Sequence, residues 1–258
     1  MGCTKALDFA APPGAHLSFY WNMDEGGTSN KIDQTHALPW PIAGPTNAAP
    51  GLFVNGTHLF PTATSPLGLR LVSSATVTTS TTKGISFWFW LQTNGFGTVG
   101  PGGQGFTFDI GGFDTNPASY GDLALSWFSA ASPLGFTLDH TNSDPVPGVQ
   151  ASGTVPIVFG AWHMLAGTLD LVNKQLKLYI DGVLVDTQVD TLAFYPSTAL
   201  SLYLGVIGLL NCSTTMTQVG DELGLCLDGV LTQAQITSLW NGGVGVTWPG
   251  VTAIVPFP

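Results

Sequence analysis

The stretch that decides the fold runs from Trp162 to Asp186, WHMLAGTLDLVNKQLKLYIDGVLVD. Trp162, Met164, Ala166 and Thr168 alternate with His163, Leu165, Gly167 and Leu169. A period of two is that of a strand, because successive side chains point to opposite faces. Asp170 to Asn173 reads as a turn, after which Leu176, Leu178 and Ile180 alternate with Lys177, Tyr179 and Asp181. Asp181-Gly182 is a hairpin signal, since both residues tolerate positive φ. Val183 to Val185 begins the returning strand, so the segment predicts a three-strand meander with one wetter face.

Outward from this meander the same texture continues. Gly (33) and Pro (18) cut the chain into short Thr-, Val- and aromatic-rich runs, as expected of many strands joined by tight turns. GISFWFWL, residues 84–91, places Phe87 and Phe89 on one face and Trp88 and Trp90 on the other. Both faces are apolar, which predicts a central strand covered on both sides. Residues 106–110, 123–128, 135–139 and 200–205 read as further strands. No repeat of fixed period is visible, which disfavours a propeller or solenoid. One helix is expected: Thr232 to Gln235 forms a capping box, Ile236, Leu239 and Trp240 share a face, and Gly242 and Gly243 end it. The expected layout is one domain over residues 1–244, followed by an apolar tail, residues 245–258, that docks on the body or on a neighbour.

Charged residues are only 9% of the chain, six Lys and Arg against sixteen Asp and Glu, for a net charge of -10. The six cations are scattered, so no basic patch forms and neither nucleic acid nor an anionic membrane is an expected partner. Mean hydropathy is +0.30, yet no run approaches the ~20 apolar residues of a membrane helix. The apolar excess must therefore be buried in a core or against partners, which points to a subunit of a larger assembly. The N-terminus has no basic segment followed by an apolar one, so either the chain is not secreted by the usual route or a leader is missing. Met1-Gly2-Cys3 is similar to an acylation start, but Ala6 stands where that motif needs Ser or Thr. Cys3, Cys212 and Cys226 match no zinc spacing. A Cys212–Cys226 bridge is open, but reduced thiols fit a chain without a leader better. Asn55-Gly56-Thr57 and Asn211-Cys212-Ser213 fit the glycosylation sequon, which matters only in a eukaryotic secretory setting.

Four stretches in order resemble the laminin-G-like (concanavalin A-like lectin/glucanase) jelly rolls. The first is Phe19-Tyr20-Trp21-Asn22-Met23-Asp24-Glu25-Gly26 with Asp33, similar to the family's opening strand. The second is Leu69 to Ala75 followed by Ser86 to Trp90. The third is Trp162 to Val185, with Leu-Tyr-Ile-Asp-Gly. The fourth is Val219-Gly220-Asp221-Glu222-Leu223-Gly224-Leu225 followed by the helix through Trp240. The Gly-rich stretch from Thr93 to Ser119 departs from the pattern. The resemblance implies an all-β, two-sheet antiparallel jelly-roll sandwich with first and last strands adjacent and one short C-terminal helix. It also implies a non-catalytic domain that binds glycans or proteins or builds extracellular and virion architecture; jelly rolls of this family occur in phage structural proteins.

Catalysis has no clear carrier. The consecutive pairs Asp24-Glu25 and Asp221-Glu222 are expected to split across a sheet, whereas a glycosidase needs two carboxylates on one cleft. There is no Gly-x-Ser-x-Gly, and the histidines are dispersed; His163 beside Trp162 reads as a structural residue. No cofactor is required. The one metal that the resemblance implies is a structural calcium, which takes hard oxygen ligands. If first and last strands pair, Asp24, Glu25, Asp33, Asp221 and Glu222 converge on it; otherwise they are plain surface or turn residues. Trp40, Trp127, Trp248 and Tyr120 are the candidate sugar-stacking rings. The expected role is a structural virion protein, a phage capsid decoration or tail component that contacts other virion proteins, copies of itself or host-surface glycans. The alternative is an extracellular carbohydrate-binding module or adhesin.

Overall fold

The structure is a computed structural model and describes residues 17–22, 31–32, 39–40, 48–50, 55–58, 69–72, 83–93, 106–111, 123–129, 134–140, 148–156, 158, 160–192, 201–206, 218–227, 229–246 and 250–255. The strands are β1 (Phe19–Trp21), β2 (Lys31–Ile32), β3 (Pro39–Trp40), β4 (Ala48–Pro50), β5 (Asn55–His58), β6 (Leu69–Val72), β7 (Gly84–Thr93) and β8 (Phe106–Gly111). They continue with β9 (Leu123–Ser129), β10 (Leu134–His140), β11 (Val149–Val155), β12 (Trp162–Asp170), β13 (Gln175–Ile180), β14 (Val183–Val189), β15 (Ser201–Val206) and β16 (Gln218–Cys226). The single α-helix among the described residues, α1, is Gln233–Trp240.

An eight-stranded antiparallel sheet has the order β14-β13-β12-β7-β16-β5-β4, with β1 also paired to β16. A six-stranded sheet has the order β11-β10-β9-β8-β15-β6, and β2 and β3 form a separate pair. First and last strands are adjacent, with Phe19 opposite Leu225 and Trp21 opposite Leu223. This is the antiparallel jelly-roll sandwich the sequence predicts.

The alternation in β7 builds two cores. Ile85, Phe87, Phe89 and Leu91 enter the core between the sheets, where Leu123, Leu125, Phe136, Leu138, Leu165, Leu178 and Leu223 meet them. Trp88 and Trp90 point the other way, into a second core with Met164, Tyr179, Ile236, Leu239, Val251 and Val255. The helix and residues 250–255 thus cover the outer face of the eight-stranded sheet, and Trp90 stacks on Trp240 with ring centroids 5.0 Å apart.

This second core corrects one expectation. The meander was expected to have a wetter face, but in β12 every residue after Trp162 is buried. The helix layer, which lies far along the chain, removes that face from water. Only the edge strand β14 keeps the exposed pattern.

The local signals act as expected. Asp181 and Gly182 take φ of 53° and 74° in the hairpin between β13 and β14. Thr232 and Gln235 complete a reciprocal capping box: Gln235 N–H donates to Thr232 Oγ1 at 3.2 Å, and Thr232 N–H donates to Gln235 Oε1 at 3.0 Å. The helix stop differs by one residue, because Asn241, not glycine, occupies the left-handed cap at φ 48°. Gly182 O anchors the helix to the hairpin by accepting from Gln233 Nε2 (2.6 Å) and Thr237 Oγ1 (3.1 Å).

Gly224 is required by a close approach. A Cβ there would lie 2.1 Å from Trp88 Cζ2, so Gly224→Ala forces the indole off its rotamer. Overpacking of this kind costs typically ~1–3 kcal/mol. The variant is expected to melt several degrees lower with altered tryptophan fluorescence; an unchanged melt would show that the second core yields freely.

Candidate functional site

Three polar features stand out against this apolar frame. The first is an acidic bulge in β16. Asp221 pairs with Trp90 and Gly224 with Trp88, so β16 takes three steps where β7 takes two. The extra residue is Glu222, with φ 45°, an uncommon conformation for a non-glycine residue. Asp221 and Glu222 were expected to part to opposite faces, but that rests on unbroken alternation, which the bulge interrupts. Both side chains are buried, each 2% exposed. Asp221 Oδ1 accepts the Glu222 N–H at 3.0 Å, while Glu222 Oε2 has no hydrogen-bond partner. Burial alone pushes the Glu222 carboxyl up to about 9.

This bulge fits a hard cation on two observations: its donors are carboxylate oxygens, and one buried oxygen is orphaned. Asp24, Glu25 and Asp33 lie outside the described residues. Of the five expected ligands the structure describes only Asp221 and Glu222, adjacent in sequence, and among the described residues no cluster of three or more His, Cys, Asp or Glu side chains forms. The strand pairing Trp21–Leu223 puts the end of β1 beside this bulge.

The second feature is a pair of histidine–aspartate contacts. His140 Nδ1 lies 2.7 Å from Asp190 Oδ2, with both side chains fully buried. The carboxylate can only accept, so the ring N–H donates. Asp190 Oδ1 also accepts the Leu192 N–H at 2.9 Å, which ties the segment after β14 to the end of β10. His163 Nδ1 lies 2.8 Å from Asp181 Oδ2, and Asp181 Oδ1 accepts the Met164 N–H. Both histidines are clamped by a carboxylate inside the scaffold, in agreement with the structural reading of His163. Cys226 is a free buried thiol, and burial raises it away from thiolate.

The third feature is one that sequence reasoning missed. Strands β8 and β10 carry the same short pattern, Phe106-Thr107-Phe108-Asp109 and Phe136-Thr137-Leu138-Asp139. Strand β9 lies between them. Asp139 stands opposite Ala124, and Ala124 opposite Asp109; Thr137 stands opposite Ser126, and Ser126 opposite Thr107. The row continues outward from Asp139 to Gln150 on β11, and from Asp109 through Tyr203 on β15 to Arg70 on β6. Phe136 and Leu138 enter the inter-sheet core, so by alternation Thr137 and Asp139 belong to the outer face.

By register, the longer row therefore runs Gln150, Asp139, Ala124, Asp109, Tyr203 and Arg70, and the shorter one Thr137, Ser126 and Thr107. The longer row crosses five inter-strand gaps, roughly 24 Å at ~4.8 Å per gap. Asp139 Oδ1 accepts from Gln150 Nε2 at 2.7 Å, and Asp139 Oδ2 accepts from Thr137 Oγ1 at 3.2 Å. Partial burial raises the Asp139 carboxyl above its ordinary value, against these two hydrogen bonds. The repeated Phe-Thr-x-Asp was a visible signal, but only the strand register reveals that the two copies align.

The sugar-stacking candidates fare differently. Trp127 stands opposite Phe136 in the register of β9 with β10. Trp40 lies on β3, in the separate two-stranded pair. Tyr120 and Trp248 lie outside the described residues.

The sequence model of the laminin-G type described as the concanavalin A-like lectin/glucanases superfamily matches residues 70–208, more than half of the chain. No curated protein sequence matches. Among solved structures, the binding domain of Paraclostridial Mosquitocidal Protein 1 is similar at TM-score 0.62 and 12% identity, over 88% of this chain and 52% of that one. Domain 4 of AbnA, an extracellular arabinanase from Geobacillus stearothermophilus in complex with arabinotriose, is similar at TM-score 0.53 and 19% identity, over 87% and 98%. A structure of botulinum neurotoxin type C, whose cell entry is dependent upon interaction with two ganglioside molecules, is similar at TM-score 0.58 and 13% identity, over 87% and 52%. The chain spans about half the length of the toxin structures it resembles. At these identities the likeness concerns the fold. Together with the two-sheet architecture and the adjacent first and last strands, the sequence match makes this chain a member of the concanavalin A-like lectin/glucanases superfamily.

Proposed function

We propose that this protein is a non-catalytic, glycan-binding jelly roll that works as a subunit of a larger assembly. The observation that carries the reading is the polar cluster on β10 and β11, where the Asp139 carboxylate holds the exposed Gln150 amide and the Thr137 hydroxyl, the residue types that bind sugar hydroxyls. One similar structure is in complex with arabinotriose, and another is of a toxin whose cell entry is dependent upon interaction with gangliosides, which supports the same ligand class. The full chain is expected to bind a subset of an oligosaccharide panel and to release no reducing sugar from it. Hydrolysis of a bound oligosaccharide would overturn the non-catalytic reading.

The assembly we favour is a virus particle, with the chain as a phage capsid decoration or tail component. Its support is the scarcity of charge and the placement of exposed apolar groups. Among the described residues, Val183, Leu184 and Val189 are exposed on the edge strand β14, where unpaired backbone groups also invite association. Mass spectrometry of purified particles from the native source tests this directly. A monodisperse monomer at high concentration with micromolar glycan affinity would favour the extracellular binding module instead.

A structural calcium belongs to the same proposal. Asp221 and Glu222 would hold it, and bound there it would neutralise the two buried carboxylates of the bulge. Melts unaffected by chelator and by added calcium would remove it.

A further inference from the structure

We propose that Asp139 is the specificity-determining residue of the polar row, selecting uncharged glycans and turning acidic ones away. The inference rests on the glycan-binding reading and adds which sugars the face accepts. Asp139 already receives two hydrogen bonds, from Gln150 Nε2 and Thr137 Oγ1. A carboxylate offers about four lone-pair sites, so roughly two remain for hydroxyl donors. A sugar diol supplies such donors, whereas a sialic or uronic carboxylate supplies none at neutral pH and brings like charge.

The position sharpens the effect. Asp139 is half-buried, while Gln150 beside it is exposed, so a ligand reaching Gln150 meets a partly desolvated acid next to it. Charges interact more strongly there than on an open surface. The second copy of the pattern repeats the charge: Asp109 stands in the same row, two strands away across the small Ala124. Arg70 lies at the far end of the row on the edge strand β6, two strands beyond Asp109, and is the single cation in it. A net charge of -10 adds long-range repulsion of anionic ligands.

The test uses the full chain and paired probes: arabino-oligosaccharides, N-acetyllactosamine oligosaccharides, and the latter with terminal sialic acid. Wild type is expected to bind at least one neutral probe, with the sialylated partner of any bound probe at least tenfold weaker. Asp139→Asn keeps the size of the side chain, accepts from Gln150 and donates to Thr137. It is expected to narrow that gap to about threefold or less by gaining affinity for the sialylated probe, with an unchanged melt. Asp109→Asn, on a different strand, should narrow it independently and covers the case in which Asp139→Asn fails to fold. Equal or tighter binding of the sialylated probe by wild type overturns the inference and leaves the glycan reading intact. A gap unchanged in both variants also overturns it. No binding of any probe overturns the glycan reading itself, and the inference with it.

Discussion

In chelator, Glu222→Gln is expected to melt above wild type at pH 8, and the gap between the two is expected to shrink as pH falls to 5. In the folded chain the Glu222 carboxyl titrates at about 9, against 4.5 for the free group. Between those values the folded state holds a proton that the unfolded state has released. The stability this group contributes is fully present below pH 4.5 and is lost as pH rises through 9. The slope is about 1.4 kcal/mol per pH unit in that window. Glutamine presents the neutral, hydrogen-bonding form at every pH and escapes the loss. Three pH units correspond to about 4 kcal/mol, which in a domain of this size is roughly 8 °C or more in melting temperature. Under the proposed calcium site, added calcium is expected to raise the wild-type melt and to leave Glu222→Gln unmoved. Parallel pH curves for the two proteins would show that Glu222 is not held neutral.

Asp190→Ala should be the costliest single change among the buried ion pairs. The partner His140 and the carboxylate are both removed from water, at 2.7 Å. Breaking such a pair from one side typically costs ~3–5 kcal/mol, because the remaining group is buried without its counterpart. The Leu192 N–H loses its acceptor as well. A fall in melting temperature of roughly 10 °C is expected by calorimetry. Replacing both partners, as in His140→Leu with Asp190→Ala, should recover part of the loss, since no imidazole is left buried without its partner. A single-variant loss below ~1 kcal/mol would show that the site admits water and that the pair is not a clamp between β10 and the segment after β14.

Much of the fold is legible in short-range pattern. Alternation over Trp162 to Ile180, positive-φ residues at Asp181-Gly182, and the Thr232–Gln235 capping box each act within a few residues. Their physics is local: side-chain parity, backbone sterics and the unpaired amides of a helix start. Opposed apolar faces on Ser86 to Trp90 also foretold two cores, because both sets of rings must leave water.

The site is another matter. Parity places Asp139 on a face, but not beside Asp109, which lies thirty residues earlier. Their alignment depends on the registers of β8 with β9 and of β9 with β10, which packing of the whole sheet fixes. The bulge at Glu222 is equally invisible, since one extra residue changes what two acids face without altering composition. Burial of the outer face of β12 likewise follows from a helix some seventy residues further on. An all-β sandwich with a central aromatic strand follows from residue order alone, because those signals are local and redundant. Which polar groups meet follows from register and layer order, which the summed burial of the whole chain sets.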